Sequence, residues 1–214
     1  MLVQRRLAGE PLAWITGRTV FCGLTVGVDP GVYVPRPQSE LLAWRAAADL
    51  PANGTAIEVC TGCGAIAAVL RRERPGARVL ATDVDPRAVA CARANGVEAL
   101  EGDLFAPLPP LQADVVVGVV PYVPTGELRL LQRDTLAFET PLPYDGGRDG
   151  THVLRRAIAA APERLRPGGA LLLELGAGQP ELLAADLAAH GFAAAETIRD
   201  EDRDVRGLRV LLLR

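Results

Sequence analysis

Apolar and polar positions along this chain alternate between short apolar blocks and stretches of helical period. Blocks at 55–60, 77–82, 97–101 and 113–120 carry Val, Ile, Leu and Ala in near-continuous runs, the pattern of strands buried on both faces. Between them, 65–73 and the stretch opened by Asp85-Pro86 repeat apolar residues at helical spacing. They stop at Pro75-Gly76 and Asn95-Gly96, pairs that end helices, while Asp85-Pro86 is an N-cap followed by a proline suited to the first turn. Strands alternating with helices in this way predict a parallel sheet covered by helices.

The pattern lapses over 121–150, a stretch dense in Pro, Gly and Asp, and a loop of that length predicts a functional segment. A helix is expected over 151–165, a turn at 166–169, a strand over 170–175 and a helix over 181–190. Two last strands, 192–198 and 208–213, are joined by a charged turn and read as an antiparallel hairpin. The sheet therefore has about seven strands, the last pair antiparallel, in a Rossmann-like α/β fold. Residues 1–50 differ: short β-like pieces surround Gly17, Gly23, Gly27 and Gly31, and an amphipathic helix follows over 38–50. They read as a β-flap and linking helix, with the main domain at 51–214. Trp14 and Trp44 read as packing residues.

Composition narrows the class. In 214 residues, 49% are hydrophobic, ample for one core. Net charge is −3, every one of the 23 basic residues is Arg, and Arg71, Arg72 and Arg74 gather at a helix end, where cations favour the dipole. No basic stripe points to nucleic acid. The first nine residues lack the apolar core of a signal peptide, and no run approaches a membrane span. A cytoplasmic enzyme with no nucleic-acid or membrane partner is expected. Cys60 and Cys63 match a two-cysteine motif, but His152 and His190 lie far away and no second pair exists, so no metal is expected. They read as small turn-lining residues.

The chemistry concentrates in Ala56-Ile57-Glu58-Val59-Cys60-Thr61-Gly62-Cys63-Gly64-Ala65-Ile66. The glycines let backbone approach a ligand, and the helix start offers free N–H groups. Glu58 lies inside an otherwise buried strand, and an unpaired buried charge is costly. A ligand with a cationic amine would pair with it, which points to S-adenosyl-L-methionine (SAM). Gly62-x-Gly64-x-x-Ala67 with Asp83 about 20 residues on also matches the dinucleotide fingerprint, so an NAD-dependent oxidoreductase competes. Glu58 argues against it, since a pyrophosphate site has no use for a second negative charge. Asp83 is read as the ribose partner. Gly102-Asp103-Leu104-Phe105 offers an acid and an aromatic to an adenine, and Pro121-Tyr122 closes the fourth strand beside them.

Five ordered motifs carry a resemblance. They are Arg36-Pro37-x-Ser39-Glu40, Thr61-Gly62-Cys63-Gly64-Ala65-Ile66, Gly102-Asp103-Leu104-Phe105, Pro121-Tyr122-Val123-Pro124 and Asp145-Gly146-Gly147-x-Asp149-Gly150. From about Arg6 to the C-terminus the chain resembles the HemK family, SAM-dependent protein-(glutamine N5) methyltransferases that modify peptide release factors. The resemblance implies a class I SAM-methyltransferase fold and SAM as cofactor, leaving S-adenosyl-L-homocysteine. It places Glu58, Cys60, Thr61, Gly62, Cys63, Gly64, Ile66, Asp83, Val84, Asp103, Leu104, Phe105 and Val119 at the cofactor.

Two departures shape the functional expectation. The family's N-P-P-Y signature, whose Asn and first Pro hold the glutamine amide, corresponds here to Val119-Val120-Pro121-Tyr122, and the Val119 side chain makes no hydrogen bond. The family's N-terminal helical domain is expected to be lacking, since the chain starts where it would end. The acceptor is therefore expected to be a small molecule or a peptide group other than a release-factor glutamine, methylated on nitrogen or another heteroatom. The alternatives are the release-factor glutamine itself and a SAM-binding protein without methyl transfer. Pro121 and Tyr122 are expected at the reacting centre, and Arg36, Val120, Glu139 and His152 around the acceptor.

Overall fold

The computed structural model describes residues 1–131 and 133–213. Two short helices, α1 (Leu2–Leu7) and α2 (Leu12–Thr16), precede a hairpin of β1 (Arg18–Phe21) and β2 (Leu24–Gly27), and α3 (Glu40–Asp49) leads onto the main sheet. Then follow β3 (Thr55–Val59), α4 (Ala65–Glu73), β4 (Arg78–Asp83), α5 (Pro86–Ala94), β5 (Glu98–Glu101) and β6 (Ala113–Gly118). The chain continues through α6 (Arg133–Phe138), α7 (His152–Ala160), β7 (Leu165–Glu174) and α8 (Gln179–Ala189) to β8 (Glu196–Arg199) and β9 (Val205–Leu211).

Seven strands form one sheet in the order β5-β4-β3-β6-β7-β9-β8. β3 to β7 run parallel, and β9 runs antiparallel to both β7 and β8. The chain leaves β3 toward β4 and β5, then returns to lay β6 on the other side of β3. That reversal is a topological switch point, and it opens a crevice beyond the carboxyl ends of β3 and β6. Both faces of the sheet are covered. Val115 and Val117 join a core with Phe21, Leu42, Leu70 and Val89, whereas Val116 joins one with Ile57, Leu80, Ile158 and Leu187. Burial on both sides is why these strands read as unbroken apolar runs.

Three expectations are corrected. The turn at 166–169 lies inside β7: Ala113 pairs with Leu165 but Val115 with Ala170, so the extra residues bulge within the strand. Gly168 N–H donates to the Leu212 carbonyl at 2.7 Å and Leu212 N–H to Gly169 at 2.9 Å, which keeps the bulge extended. The helix expected over 151–165 stops at Ala160, and a 3-10 turn containing Pro162 follows, since a proline cannot donate to the helical ladder. The 121–150 loop holds a 3-10 turn at Thr125–Leu130, α6, and a parallel bridge between Val123 and Asp145. At the N-terminus, α1 and α2 accompany the expected hairpin. Trp14 is buried and its indole N–H donates to the Val32 carbonyl at 2.9 Å, whereas Trp44 is exposed beneath the Arg72 guanidinium.

Gly64 sits at the start of α4 with φ +81°, and a Cβ there would lie 2.9 Å from Val97 Cγ2 and 3.0 Å from Ala92 Cβ. Gly168 has a similar φ of +79° with nothing within 4 Å. Gly64→Ala should therefore cost about 2–4 kcal/mol through backbone strain plus overpacking, and Gly168→Ala about 1–2 kcal/mol through strain alone. Urea denaturation of the two variants reads the difference. Equal losses would show that close packing onto α5 is not what requires the glycine.

Candidate functional site

A cavity of about 380 Å³ opens at the switch point, within the range of small-molecule sites. Its floor comes from the residues that follow each parallel strand: Cys60 and Gly62 after β3, Asp83 and Val84 at β4, Asp103 and Leu104 after β5, Val119 and Pro121 after β6. Tyr33 and its neighbours from the segment after the hairpin, Leu142, Pro143 and Asp145 from the long loop, and Val153 and Arg156 from α7 complete the wall. Cys60 and Leu104 hold positive φ, 55° and 45°, in a region that costs a non-glycine residue about 1–3 kcal/mol and recurs at ligand sites. Val84 is 44% exposed although apolar, so the cavity presents it as bare surface, whereas Leu104 borders the cavity from a core cluster.

The carboxylates of the floor differ in their bonding. Asp83 Oδ2 accepts from Gly62 N–H at 2.8 Å and Oδ1 from Asp85 N–H at 2.9 Å. These bonds fix the β3–α4 turn against the end of β4, and a carboxylate with two donors keeps acceptor capacity for a ligand hydroxyl. Burial pushes the Asp83 carboxyl up from its ordinary range. Asp103 is paired with the Arg156 guanidinium, both partly exposed.

Glu58 is buried in β3, directly behind this floor. Its Oε2 accepts from the Thr61 hydroxyl at 2.5 Å and from Ala67 N–H at 3.0 Å, tying the turn and the first helical turn of α4 to the strand. No basic side chain pairs with it among the described residues. Burial raises its carboxyl to about 8, against the opposing pull of those hydrogen bonds. The partner expected for this acid is thus supplied in part by the turn itself, through the Thr61 hydroxyl and Ala67 N–H, and no basic side chain adds to them among the described residues.

Of the other expected cofactor residues, Thr61 serves Glu58, and Gly64 sets the start of α4. Cys63, Ile66 and Phe105 are buried in the two cores rather than lining the cavity. Burial pushes the Cys60 and Cys63 thiols up, which opposes thiolate chemistry. Among the expected acceptor residues, Val120 is fully buried and His152 is exposed at the start of α7. Tyr122 lines a second recess and donates its hydroxyl to Glu174 Oε1 at 3.0 Å.

Arg36 and Glu139 meet each other instead of the cavity. The guanidinium donates to Glu139 Oε1 and to the Tyr144 hydroxyl, each at 2.8 Å, and lies 5.3 Å from the Tyr33 ring centroid. Tyr144 also donates to Glu139 and packs edge-on against Tyr33. This network joins the segment after the hairpin to the long loop, and Tyr33, Leu142 and Pro143 of those two segments wall the cavity. Tyr33, at the cavity wall, and Tyr144, bonded behind it, were not expected at the site. Their signal was two of the chain's three tyrosines, one in the extended Tyr33–Pro37 stretch and one just before the Asp145-Gly146-Gly147 motif.

Among the described residues, no three His, Cys, Asp or Glu side chains come together as a metal site, and no helix is long and apolar enough to cross a membrane. A family model described as the methyltransferase small domain matches residues 24–128. The release factor glutamine methyltransferase of Geobacter sulfurreducens is 37% identical over 96% of this chain and 76% of its own length. That of Neisseria gonorrhoeae is 39% identical over 93% of this chain and 76% of its own length. The solved structure of the protein-(glutamine-N5) methyltransferase (release factor-specific) from Alicyclobacillus acidocaldarius superposes with a TM-score of 0.53. It is 24% identical, covers 85% of this chain and 95% of its own, and shares the fold.

Glu58 gives a pH signature. Its folded-state value near 8 exceeds the ordinary 4.5, so the folded protein holds a proton that the unfolded chain releases between those values. Its contribution to stability is full below about pH 4.5 and is lost as pH rises through about 8. Glu58→Gln should flatten the decline in stability between pH 5 and 8, read as urea midpoints across that window. An unchanged pH slope in the variant would show that Glu58 is ionised throughout.

Proposed function

The chain belongs to the release factor glutamine methyltransferase family and is a SAM-dependent methyltransferase; we propose that its acceptor is the side-chain amide of a glutamine in a peptide release factor. The observation that carries this reading is the identity of 37% and 39% to relatives of that name over nearly the whole chain. The same identity weighs against the expected small-molecule or other peptide acceptor. It also displaces the dinucleotide alternative.

The cavity suits SAM on its own chemistry. Its floor is acidic, with Asp83 and Asp103 at successive strand ends, Glu58 behind them lacks a cation, and the cavity's Arg156 is already paired to Asp103. Such a site favours hydroxyls and positive charge and disfavours a pyrophosphate. Asp83 would accept the ribose hydroxyls, Val84 and Leu104 would pack the base, Asp103 would receive its exocyclic amine, and Glu58 would stabilise the amino-acid end. When bound, SAM supplies an electrophilic methyl group on a sulfonium.

The protein's share of the reaction is then positioning. An amide nitrogen is a weak nucleophile, and fixing it in line with the methyl carbon can contribute about 7–11 kcal/mol in well-oriented cases. We assign the acceptor amide to the backbone carbonyls of the 119–121 stretch, whose Val119 and Pro121 line the cavity, because Val119 brings no polar side chain. Tyr33, Leu142 and Pro143 wall the cavity. Glu139 has its carboxylate occupied by Arg36 and Tyr144, so it shapes this wall and is not a free base.

Two measurements test the reading. Incubated with SAM and a release factor, the protein should add one methyl group to a glutamine, located by tandem mass spectrometry. Normal SAM binding with no methyl on any glutamine in the protein, but methylation by Val119→Asn, would return the acceptor to another class. Separately, Asp83→Ala should weaken SAM binding by about 1–3 kcal/mol, roughly five- to 150-fold. Titration calorimetry checks this, with thermal unfolding as a control for the lost Gly62 and Asp85 bonds, and unchanged affinity would remove Asp83 from the cofactor site.

A further inference from the structure

One buried side chain ties together the segments that meet beyond β6 and β7. Gln179, at the start of α8, donates from Nε2 to the Tyr122 carbonyl at 2.8 Å and to the Asp149 carbonyl at 3.4 Å. Its Oε1 accepts from Gly176 N–H at 2.8 Å. The fit leaves no room: at Gly150, with φ +74°, a Cβ would lie 2.2 Å from the Tyr122 carbonyl oxygen and 2.5 Å from Gln179 Nε2. Tyr122 is also held by its ring, through the hydroxyl bond to Glu174 at the end of β7. Its backbone neighbour Val123 is bonded on both sides, N–H to the Tyr144 carbonyl and carbonyl to Gly146 N–H, each at 2.9 Å.

Stability is a poor account of this arrangement. Glu174 is 1% exposed, and its Oε2 makes no well-formed hydrogen bond among the described residues, the buried Ser39 hydroxyl beside it being likewise unpaired. A buried acid half-satisfied in this way is costly, and an apolar pair of similar volume would serve the core as well or better. What the polar set does supply is direction. It fixes a peptide carbonyl and an aromatic ring at one orientation, immediately after Pro121, which lines the cavity, while Tyr122 lines the recess on the other side.

We propose that Gln179 and Glu174 are positioning residues for methyl transfer. By holding Tyr122 at its carbonyl and its hydroxyl, they fix the aim of the 119–121 carbonyls that receive the acceptor amide. This inference rests on the proposed function. Because Val119 adds no side-chain hydrogen bond, the orientation of the amide depends on that backbone, and small displacements of reacting atoms cost about a hundredfold in rate.

Gln179→Glu keeps the size of the side chain and its contact to Gly176 N–H but removes the donor to Tyr122. It should lower kcat about a hundredfold, with SAM affinity unchanged. Glu174→Gln keeps an acceptor for the Tyr122 hydroxyl and should retain activity, while Glu174→Leu should lose it with folding intact. Hydrogen exchange supplies a readout that needs no acceptor: in Gln179→Glu the Val123 and Gly146 amides should exchange at least roughly tenfold faster, with β3 and β4 amides unchanged. Unaltered exchange at Val123 and Gly146 overturns the proposal whatever the acceptor. So does faster exchange with undiminished kcat, or equal loss in Glu174→Gln and Glu174→Leu. A wild-type protein inactive on every glutamine would instead sink the proposed function, and the exchange result would still show whether Gln179 holds the loop.

Discussion

A carboxyl group buried in a central strand of the sheet, with no basic side chain paired to it among the described residues, is the constraint on which the site depends. Glu58 is held by a hydroxyl three residues on and by the backbone N–H of Ala67. Those bonds dictate how the chain leaves β3: it must turn sharply enough to bring Thr61 back and present the first turn of α4 to the strand. Cys60 accepts positive φ, and Gly62 and Gly64 complete the turn with φ of 56° and 81°. The cavity floor is therefore a consequence of satisfying one acid. An apolar residue at 58 would suit the core better and would leave this turn without its anchor.

The second constraint is topological. Reversal of strand order between β3 and β6 separates two loops that would otherwise cover each other, and the space is filled by residues at strand ends. Asp83 bridges this gap from the neighbouring strand by accepting Gly62 N–H. Two acids thus hold one turn from opposite sides, Glu58 from below and Asp83 from the next strand. Both carboxyls are raised by burial, so a cationic ligand brought close would lower both and gain affinity as they ionise.

The succession of β3 to β6 along the chain and the bounds of α5 were legible because burial on both faces leaves long apolar blocks, and because Asp85-Pro86 and Asn95-Gly96 are local signals with local causes. The cavity floor was legible for the same reason: Asp83 ends β4, and Gly62 and Asp103 lie within three residues of the ends of β3 and β5. The wall was not. Arg36 and Glu139 are 103 residues apart, and Arg36 and Tyr144 are 108 apart, so nothing near either residue predicts that they meet. The bulge in β7 escaped for a related reason, since a Pro-Gly-Gly run reads as a turn until the C-terminal segment bonds to it. Glu58, Cys63, Ile66 and Phe105 were expected at the cofactor but stand behind the residues that line the cavity, because in a strand, a helix start or a tight turn a step of one residue exchanges cavity for core.

The Val119 position shows how the two halves of such a site can vary separately. The cofactor half is built from strand ends that the sheet itself fixes, so its geometry survives changes elsewhere. The acceptor half is a loop whose position is set by Tyr122, Val123 and their bonds to the 144–150 segment and to Gln179. A side-chain amide at 119 would orient an acceptor without help, through its own donor and acceptor. Valine cannot, so on the proposed function the same task falls to backbone carbonyls, which are only as well aimed as the loop is rigid. Three tethers, at the Tyr122 carbonyl, the Tyr122 hydroxyl and Val123, meet that requirement. An apolar side chain at the cavity and a tightly bonded loop behind it are therefore one physical solution.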